Sequence, residues 1–543
     1  MSAAAPWIGL PLLVVAAVAV IRALGFLHIL QIEEYDVGRY RRWVRAEVGR
    51  MAPPARSGAG FVAAVALSLI AVTPAAVIVA VAGTVLWAAL AIVAALRRSR
   101  EPAKKPLRLT PRALLALGMT IVVAVAVGLA VAVAVWGANT ATPFLAALVF
   151  TLVLEAFAPW LVAVGSLALW PAQVLAREAV ILAARMRLAR SRAVVIGITG
   201  SYGKTSTKEI LAALLSSRYR VLKTPESYNT LLGVSKVILR ELRPDHEFFV
   251  VEMGAYRRGE IARLCRLAPP RVGVLTAINP QHLERFGSIE NIAKAKYELI
   301  EALPATGTAV INVDNERCRA LADSTRHVPV VRYGLREDGG PTVTASDWRS
   351  EGLRSRFRLR AGDGAAVDVS LRLLGRHNVA NFVGAAAAAM AVGLTPEDVA
   401  RAAESIEPVP HRLQPIVGAG GVTVLDDAYN SNPDGARAAL EVLRGFGSAR
   451  KVIVTPGMIE LGEREEQENR EFGVAAAAVC DDVILVGPRR TRPIRDGLLA
   501  AGFSEERIRV VRGIGEVQSV LATIVGPGDV VLFENDLPDN YSE

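Results

Sequence analysis

The segment Thr199–Thr207, with the sequence TGSYGKTST, has the residue types and spacing needed to bind a phosphate. Its glycines let backbone amides turn toward a phosphate, Lys204 suits the terminal phosphates of a nucleotide, and the Thr205 hydroxyl suits Mg²⁺. The full Walker A pattern has another glycine five residues before Gly203, where this chain has Ile198, so only the G-x-x-G-K-T core is present. We predict nucleotide binding, against the alternative of a glycine turn before an ordinary helix. The predicted nucleotide-binding residues of this phosphate loop are Gly200, Ser201, Gly203, Lys204, Thr205 and Ser206.

The elements around the phosphate loop are those of an α/β protein. The apolar run Ala193–Ile198 predicts a strand before the loop, and Lys204–Ser217 predicts a helix after it. Short apolar runs that alternate with helices are typical of parallel sheets. The runs are too many for one sheet, and the proline-containing segment Glu407–Pro415 marks a boundary. We predict a P-loop ATPase domain with a parallel sheet at 193–408 and a Rossmann-like domain at 409–543. The further predicted strands are Phe248–Met253, Val272–Ile278, Thr308–Val313, Val422–Leu425, Val452–Thr455, Val483–Val486 and Val530–Phe533.

Charge is distributed unevenly along the 543 residues. Residues 1–192 contain 19 lysines and arginines against 7 acidic residues, whereas the remainder contains 43 against 45. A nucleic-acid-binding protein would carry its positive excess on the folded domain, so we predict no nucleic-acid partner. Cys265, Cys318 and Cys480 are far apart and provide neither a disulfide framework nor the spacing of metal ligands.

The first 192 residues predict a membrane region. They contain four apolar stretches, and a helix needs about 20 apolar residues to cross a bilayer. The stretch 61–96 has no charged residue, which predicts two crossings with a break near Pro74. The arginine-rich loops 31–57 and 97–112 should lie in the cytoplasm. We predict about five transmembrane helices at 1–192, in a multi-pass protein of the cell membrane with its catalytic domains in the cytoplasm. The four stretches are 7–30, 61–96, 113–137 and 144–170.

Seven further segments with distinctive residues follow the phosphate loop along the chain. Together with the loop they resemble the Mur ligase family, the ATP-dependent amide-forming enzymes of peptidoglycan precursor synthesis, over about residues 193–480. Two of the segments are similar to those of the family member that adds D-alanyl-D-alanine, namely Asp426–Pro433 and Met458–Gly462. The full set is Val251–Gly254 (VEMG), Asn279–Gly287 (NPQHLERFG), Ala293–Glu298 (AKAKYE), Leu374–Asn381 (LGRHNVAN), His411–Arg412, Asp426–Pro433 (DDAYNSNP) and Met458–Gly462 (MIELG).

The resemblance implies a catalytic set and a cofactor. Lys204, Glu252, His282 and Lys296 form the implied catalytic set, in which Lys296 corresponds to a lysine that is carbamylated in the family. The implied cofactors are ATP and Mg²⁺, with Mn²⁺ as an alternative because a histidine ligand is less usual for Mg²⁺. The implied metal ligands are Thr205, Glu252, His282 and carbamylated Lys296; the implied ATP contacts outside the loop are Asn378, Asn381, Arg412 and Asp427; the implied substrate contacts are Tyr429, Asn430 and Asn432.

The residues alone allow a structural alternative for several of these roles. Glu252 is also explained as a hydrogen-bonded carboxylate at a strand end, and Lys296 as a solvated lysine on a helix. Asn378 and Asn381 are residue types that cap helices, and a helix follows them.

Three features depart from the family pattern. Apolar stretches occupy the place of a domain that holds a UDP-sugar, and His411 and Asn469 stand where Gly and His are usual. The C-terminus reads Asn535–Tyr541 (NDLPDNY), where a Lys-Gly-Ser-Arg-like segment is expected. These departures concern substrate recognition rather than ATP chemistry. The predicted partners are a membrane and a muropeptide-type acceptor that is UDP-linked, lipid-linked or polymeric.

The sequence therefore predicts an ATP-dependent ligase of cell-wall precursor synthesis. It would form an amide bond through an acyl phosphate and add an amino acid or a D-Ala-D-Ala-like dipeptide to the acceptor. One alternative is a membrane ligase that resembles poly-γ-glutamate synthase. The other is a membrane scaffold or transport component that only senses nucleotide.

Overall fold

The computed structural model describes residues 23–32, 35, 37–51, 107–135, 159–225, 228–280, 283–362, 364, 366–418, 420–429, 431–459 and 461–536. The chain divides into two compact units, with the change from one to the other at Ala176 and Arg177. The domain limits predicted at 192 and 408 stay predictions.

The first unit is helical where it is described. Its helices pack around Tyr40, which is fully buried and donates a hydrogen bond from its hydroxyl to the carbonyl of Pro159 at 3.0 Å. Leu27, Ala113 and Val162 are buried in the same cluster. The helices are Ala23–Ile32, Val37–Met51, Pro111–Val135, Pro159–Ala168 and Trp170–Ala189, the last of which continues into the second unit.

No single helix with described side chains is long and apolar enough to cross a membrane. Pro159–Ala168 and Trp170–Ala189 meet the requirements of length and composition only as a pair, and the two helices are bent by 46°. The stretch 144–170 is thus not one straight helix, because its described part turns at Leu169. The prediction of about five transmembrane helices is not supported by this part of the chain, and the stretch 61–96 lies outside the described residues.

The larger sheet of the second unit has nine strands in the order β2-β3-β1-β4-β5-β6-β7-β8-β9. The strands from β2 across to β7 are parallel, and β7, β8 and β9 are antiparallel. All five residues of β3 are buried, as expected for a parallel strand that helices cover on both faces. The strands are β1 Val194–Thr199, β2 Val221–Lys223, β3 Phe248–Glu252, β4 Val272–Leu275, β5 Thr308–Asn312, β6 Val330–Gly334, β7 Val343–Glu351, β8 Arg354–Ala361 and β9 Val367–Leu371.

Helices cover this sheet and fix the phosphate loop. The alanine-rich helix Arg376–Met390 packs against Lys204–Ser216, the helix that begins in the loop. Gly384 permits the close approach of the helix Arg376–Met390 to β6, because a Cβ there would lie 2.6 Å from the ring of Tyr333. The helices are Lys204–Ser216, Leu231–Glu241, Glu260–Leu267, Leu283–Phe286, Ile289–Glu301, Glu316–Ser324, Arg376–Met390 and Pro396–Ala403.

The smaller sheet has six strands in the order β10-β11-β15-β12-β13-β14. Only β10 is antiparallel to its neighbour. Because β15 returns between β11 and β12, the loops after these three strands meet at one edge, where α/β sheets bind ligands. The strands are β10 Gln414–Val417, β11 Thr423–Asp427, β12 Lys451–Thr455, β13 Asp482–Val486, β14 Ile508–Val511 and β15 Val530–Glu534, and the helices are Pro433–Arg444, Glu465–Ala477, Arg492–Ala500 and Ile514–Ile524.

The predicted α/β class with parallel sheets is confirmed. All eight apolar runs named from the sequence overlap strands, whereas the antiparallel extension β7–β9 was not predicted. In β8 (RSRFRLRA), buried and exposed residues alternate and the arginines occupy the outer face. This period-2 pattern is typical of a strand with one solvated face, and it is distinct from the continuous apolar runs of the parallel strands.

Candidate active site

The phosphate loop connects β1 to the helix Lys204–Ser216. Gly203 is the N-cap of this helix and has a left-handed backbone with a φ of 80°. A Cβ at Gly203 would lie 2.2 Å from Oδ1 of Asn381, so both the conformation and the space require glycine. The sequence-based placement of the loop between a strand and a helix is confirmed.

Residues after β4 hold the phosphate loop in place. The Ser201 backbone N–H donates to the carbonyl of Ala277 at 2.7 Å, and the Ser201 hydroxyl donates to the carbonyl of Asn279 at 3.0 Å. The Thr276 hydroxyl donates to the carbonyl of Tyr202. The neighbouring strand therefore preorganises the loop. Because the loop is already ordered, less conformational entropy is lost when a phosphate binds.

Lys204 reaches back across the loop. Its Nζ donates to the carbonyl of Gly200 at 2.7 Å. Burial lowers the pKa of Lys204, and the nearby Glu252 carboxylate acts in the opposite direction. An ammonium in this position is available to a phosphate that enters above the loop.

Glu252 ends β3 beside the phosphate loop and is only 1% exposed. One carboxylate oxygen, Oε2, accepts from the Thr205 hydroxyl at 2.9 Å and lies 3.7 Å from the ammonium of Lys208. The other, Oε1, accepts from the amide of Asn229 at 3.0 Å. The Glu252 backbone N–H donates to the hydroxyl of Thr224 at 3.1 Å. A buried carboxylate requires such compensation, and the contacts fix its direction toward Thr205.

Lys296 is buried on the helix Ile289–Glu301, with 4% exposure, so the alternative of a solvated lysine is wrong. Burial, with the positive charge of Lys204 as a second cause, lowers the pKa of Lys296 well below its ordinary value. Glu298, in the same sequence segment, has a separate structural role. Its carboxylate accepts from the backbone N–H groups of Gly259 and Ala262 at 2.6 and 3.0 Å.

The donor set beside the phosphate loop fits Mg²⁺. The Thr205 hydroxyl and the Glu252 carboxylate are adjacent hard oxygen ligands of the kind Mg²⁺ binds together with phosphate oxygens. His282, the predicted nitrogen ligand, lies outside the described residues. Among the residues that are described, no three His, Cys, Asp or Glu side chains cluster to hold a metal ion.

A cleft of about 580 Å³ opens next to the phosphate loop. Tyr202, His377 and Asn381 contribute to its wall, as do Asn312 and Asp314 from the end of β5. The cleft is large enough for a nucleoside and offers amide and carboxylate groups to a base edge.

Asn378 and Asn381 do not cap the helix Arg376–Met390, whose N-cap Gly375 has no side-chain hydrogen bond. The amide of Asn378 donates to the carbonyl of Leu374 at 2.9 Å, and the amide of Asn381 donates to Oδ1 of Asn378 at 3.3 Å. Asn378 therefore orients Asn381, which lines the cleft.

The predicted contacts from the smaller sheet lie around β11. The guanidinium of Arg412 lies 4.1 Å from the ring centre of Tyr429. The Asp427 carboxylate accepts from the backbone N–H of Leu413 at 3.0 Å, and burial raises the pKa of Asp427 to about 6. Asn430 lies outside the described residues. Asn432 is an N-cap, since its Oδ1 accepts from the backbone N–H of Gly435 at 3.1 Å.

Two contacts join this edge to the phosphate loop side. The amide of Asn279 donates to the carboxylate of Asp434. The ring of Tyr202 lies beside Gly435, at which a Cβ would be 3.2 Å from Cε2 of the ring. The helix after β11 thus contacts both the phosphate loop and the loop after β4.

Comparison with known proteins assigns the second unit. The sequence profile of the Mur ligase middle domain matches residues 198–389, and that of the Mur ligase glutamate ligase domain matches residues 411–534. The UDP-N-acetylmuramoyl-tripeptide–D-alanyl-D-alanine ligase of Mycobacterium leprae is 36% identical over 389 residues, which are 66% of this chain and 75% of that protein. The chain belongs to the Mur ligase family.

Solved Mur ligases share the fold. MurF from Acinetobacter baumannii matches with a TM-score of 0.60 and 28% identity, over 66% of this chain and 77% of its own. MurF from Thermotoga maritima in complex with ADP matches with a TM-score of 0.59 and 31% sequence identity. The match covers 66% of this chain and 80% of the Thermotoga chain. The chain is thus an ATP-dependent carbon–nitrogen ligase that uses ATP and Mg²⁺, as predicted.

Several residues of this Mur ligase site were not predicted from the sequence. Lys208 could have been found, because it lies four residues after Lys204 and so shares its face of the helix. Asn229 and Tyr202 gave no such signal, because their partners are distant in the chain. Asn469, in place of the usual His, holds a turn: its amide oxygen accepts from the backbone N–H of Met458 at 2.9 Å.

His411 shows why glycine is usual at its position in the family. Its backbone is left-handed, with a φ of 58°, a conformation that favours glycine. The imidazole Nδ1 lies 2.8 Å from Oδ2 of Asp426, so a side-chain contact accompanies the strained backbone.

Replacement of Gly203 by alanine should weaken ATP binding. Alanine in a left-handed backbone conformation costs about 1–2 kcal/mol relative to glycine. Its methyl group would also displace the side chain of Asn381. We expect the Kd for ATP, measured by isothermal titration calorimetry, to rise about tenfold or more, since tenfold corresponds to ~1.4 kcal/mol.

Gly259→Ala is the matched control. Gly259 is also a left-handed N-cap, with a φ of 86°, and open space surrounds its Cβ position. The Gly259→Ala variant should lose about as much folding stability as Gly203→Ala but bind ATP with the wild-type Kd. Equal ATP affinities for the two variants would contradict the structural account of the loop.

Proposed function

We propose that this Mur ligase joins D-alanyl-D-alanine to the tripeptide carboxylate of UDP-N-acetylmuramoyl-tripeptide. The observation that carries the proposal is the 36% identity, over 75% of its length, to a ligase of that name, combined with the convergence of Lys204, Thr205 and Glu252 at one loop. The muropeptide acceptor and the dipeptide are the substrates that the relatives' names state.

The chemistry follows from the charges at the site. The acceptor carboxylate attacks the γ-phosphorus of ATP, which releases ADP and forms an acyl phosphate. The dipeptide amine then attacks the acyl carbon, loses a proton and expels inorganic phosphate. Both reactants of the first step are anions, so the site must neutralise charge and hold the groups in line.

Residues of this chain divide that task. Lys204 supplies a cation above the phosphate loop, and the loop amides and helix N-terminus favour the phosphates. Thr205 and Glu252 are the residues that would hold Mg²⁺, which neutralises phosphate charge when bound. His282 is proposed as a further ligand. Asn381 and Asp427 would bind the base and the ribose.

Lys296 is proposed to act as a carbamate. Carbamylation requires a neutral amine, and burial beside Lys204 favours the neutral amine of Lys296. The product is a carboxylate on a long stem, a hard oxygen donor that suits a second metal ion.

Product analysis tests the proposed function. The purified full chain, ATP and Mg²⁺ would be combined with D-alanyl-D-alanine and UDP-N-acetylmuramoyl-tripeptide, or with its lipid-linked counterpart. We expect ADP release coupled to a UDP-linked product whose mass has increased by the dipeptide minus water. Product from only the lipid-linked acceptor would contradict the proposed substrate. A γ-glutamyl polymer, or ATP binding without any product, would favour the two alternatives.

We also propose that the N-terminal region attaches the enzyme to the cell membrane with its catalytic domains in the cytoplasm. The support is the uncharged stretch 61–96 together with the positive excess of residues 1–192. After cell lysis, the full chain should sediment with membranes and resist extraction by alkaline carbonate. Recovery in the supernatant would contradict this proposal.

Replacement of Lys296 by arginine should abolish most turnover. Arginine keeps a positive charge but stays protonated, so it cannot form a carbamate. We expect kcat for ADP release to fall on the order of a hundredfold, the scale typical of losing one preorganised electrostatic group. A carbamate signal in the ¹³C NMR spectrum with ¹³C-bicarbonate should disappear as well.

Lys294→Arg provides the control, because Lys294 is an exposed lysine on the same helix. It should retain both kcat and the carbamate signal. Wild-type kcat in Lys296→Arg would exclude the carbamate.

A further inference from the structure

The turn that ends β15 is buried at the carboxyl edge of the smaller sheet. Glu534 is 1% exposed and Asn535 is 7% exposed, and β15 lies between β11 and β12. Two consecutive polar side chains are therefore placed where the loops after three parallel strands meet.

Asn535 links these loops through hydrogen bonds. Its amide oxygen accepts from the backbone N–H of Ser431 at 3.1 Å, and its amide nitrogen donates to the carbonyl of Gly457 at 2.6 Å. Its own backbone N–H donates to the carbonyl of Asp427 at 3.2 Å. The loop after β11 is thereby joined to the loop after β12.

The backbone of Asn535 is left-handed, with a φ of 70°. Asparagine tolerates this conformation better than most residues, but it still stores strain. This backbone conformation ends the strand, and the side chain then bonds to both loops.

Glu534 makes a parallel connection one residue earlier. Its carboxyl group accepts from the hydroxyl of Ser431 and, at 3.2 Å, from the hydroxyl of Thr455. Burial raises the pKa of Glu534 to about 8, and the carboxylate of Asp427 acts in the same direction. The turn therefore holds Ser431 through both its hydroxyl and its backbone N–H.

The loop after β11 that is held in this way carries groups already placed at the site. Tyr429 stacks on Arg412, and Asn432 caps the helix whose Asp434 contacts Asn279. The turn itself provides no cation for the carboxylate of a dipeptide. It therefore acts through the loops.

We propose that Asn535, supported by Glu534, is a positioning residue that sets the loop after β11 for the incoming amine substrate. The inference rests on the proposed function for the identity of that substrate, D-alanyl-D-alanine. The side-chain contacts of Asn535 are with the loops after β11 and β12 and not with the phosphate loop, whereas its contact with Asp427 is through the backbone N–H, which glycine retains. We therefore expect loss of the side chain to act on the amine side more than on ATP.

Asn535→Gly tests the inference because glycine keeps the left-handed backbone and removes both side-chain hydrogen bonds. We expect the KM for D-alanyl-D-alanine to rise by about tenfold or more, since small misplacements of a bound substrate have effects of that order. The KM for ATP should change less than twofold. Asn535→Asp retains the acceptor for Ser431 but places a carboxylate oxygen against the Gly457 carbonyl oxygen, so it should raise the KM for the dipeptide at least as much.

Asp347→Gly is the matched control. Asp347 is an exposed residue of β7 with a left-handed φ of 54°, so its replacement relieves similar strain away from the site. It should leave both KM values unchanged. An unchanged dipeptide KM in Asn535→Gly, or an equal rise in the KM for ATP, would overturn the proposal.

Hydrogen–deuterium exchange separates this inference from the proposed function. The Ser431 amide proton, which donates to Asn535, should exchange faster in Asn535→Gly than in the wild type. If the wild-type enzyme forms no product from the dipeptide, the proposed function fails, and the exchange result alone decides whether Asn535 positions the loop. Unchanged exchange at Ser431 would then overturn the inference.

Glu534→Gln gives a second measurement. Between the ordinary glutamate pKa and about 8, the unfolded chain ionises at this position while the folded chain does not, so stability falls as pH rises. Glutamine removes this dependence. The melting temperature of Glu534→Gln relative to wild type should therefore increase from pH 5 to pH 8. A difference independent of pH would contradict burial of this carboxyl group in the loop junction.

Discussion

The buried carboxylate of Glu252 is the interaction on which the nucleotide site depends. It ends β3 next to β1, where Ile198 and Glu252 are paired in register, and so lies beside the loop that follows β1. Thr205 and Lys208 contact it from the helix that begins in the phosphate loop, and Asn229 contacts it from the loop before the helix Leu231–Glu241. Removing one partner of such a buried group costs about 3–5 kcal/mol, because the remaining charge is left uncompensated. Charge compensation therefore positions the Glu252 carboxylate and the phosphate loop together.

Short sequence motifs predict those parts of the site whose residues are close together in the chain. The phosphate loop and Glu252 follow strands whose apolar runs are unmistakable, and parallel strands bring their carboxyl ends to one edge. Asn229 and Tyr202 could not be predicted in this way, because Asn229 reaches Glu252, and Tyr202 reaches Thr276 and the Gly435 region, only through contacts between distant segments. Lys296 required burial to distinguish it from a solvated lysine, and only the fold provides that.

The departures from the family pattern have physical explanations of different kinds. His411 occupies a left-handed backbone position and forms a side-chain contact with Asp426. The side chain of Asn469 forms its hydrogen bonds with backbone groups. Its amide nitrogen, for example, donates to the carbonyl of Met458 at 2.9 Å. At the C-terminus, Asn535 joins two loops. All three substitutions shape the loops of the smaller sheet, whereas the residues around Glu252 keep the pattern of an ATP-dependent ligase.

The metal dependence of ATP affinity in Glu252→Gln tests this account most directly. The Kd for ATP would be measured by calorimetry with and without Mg²⁺ in the wild type, in Glu252→Gln, and in Glu209→Gln, a neighbouring carboxylate that contacts Lys208 and not Thr205. We predict that Mg²⁺ strengthens ATP binding in the wild type and in Glu209→Gln but not in Glu252→Gln. The same strengthening by Mg²⁺ in all three proteins would show that Glu252 is not the residue that couples the metal to the nucleotide.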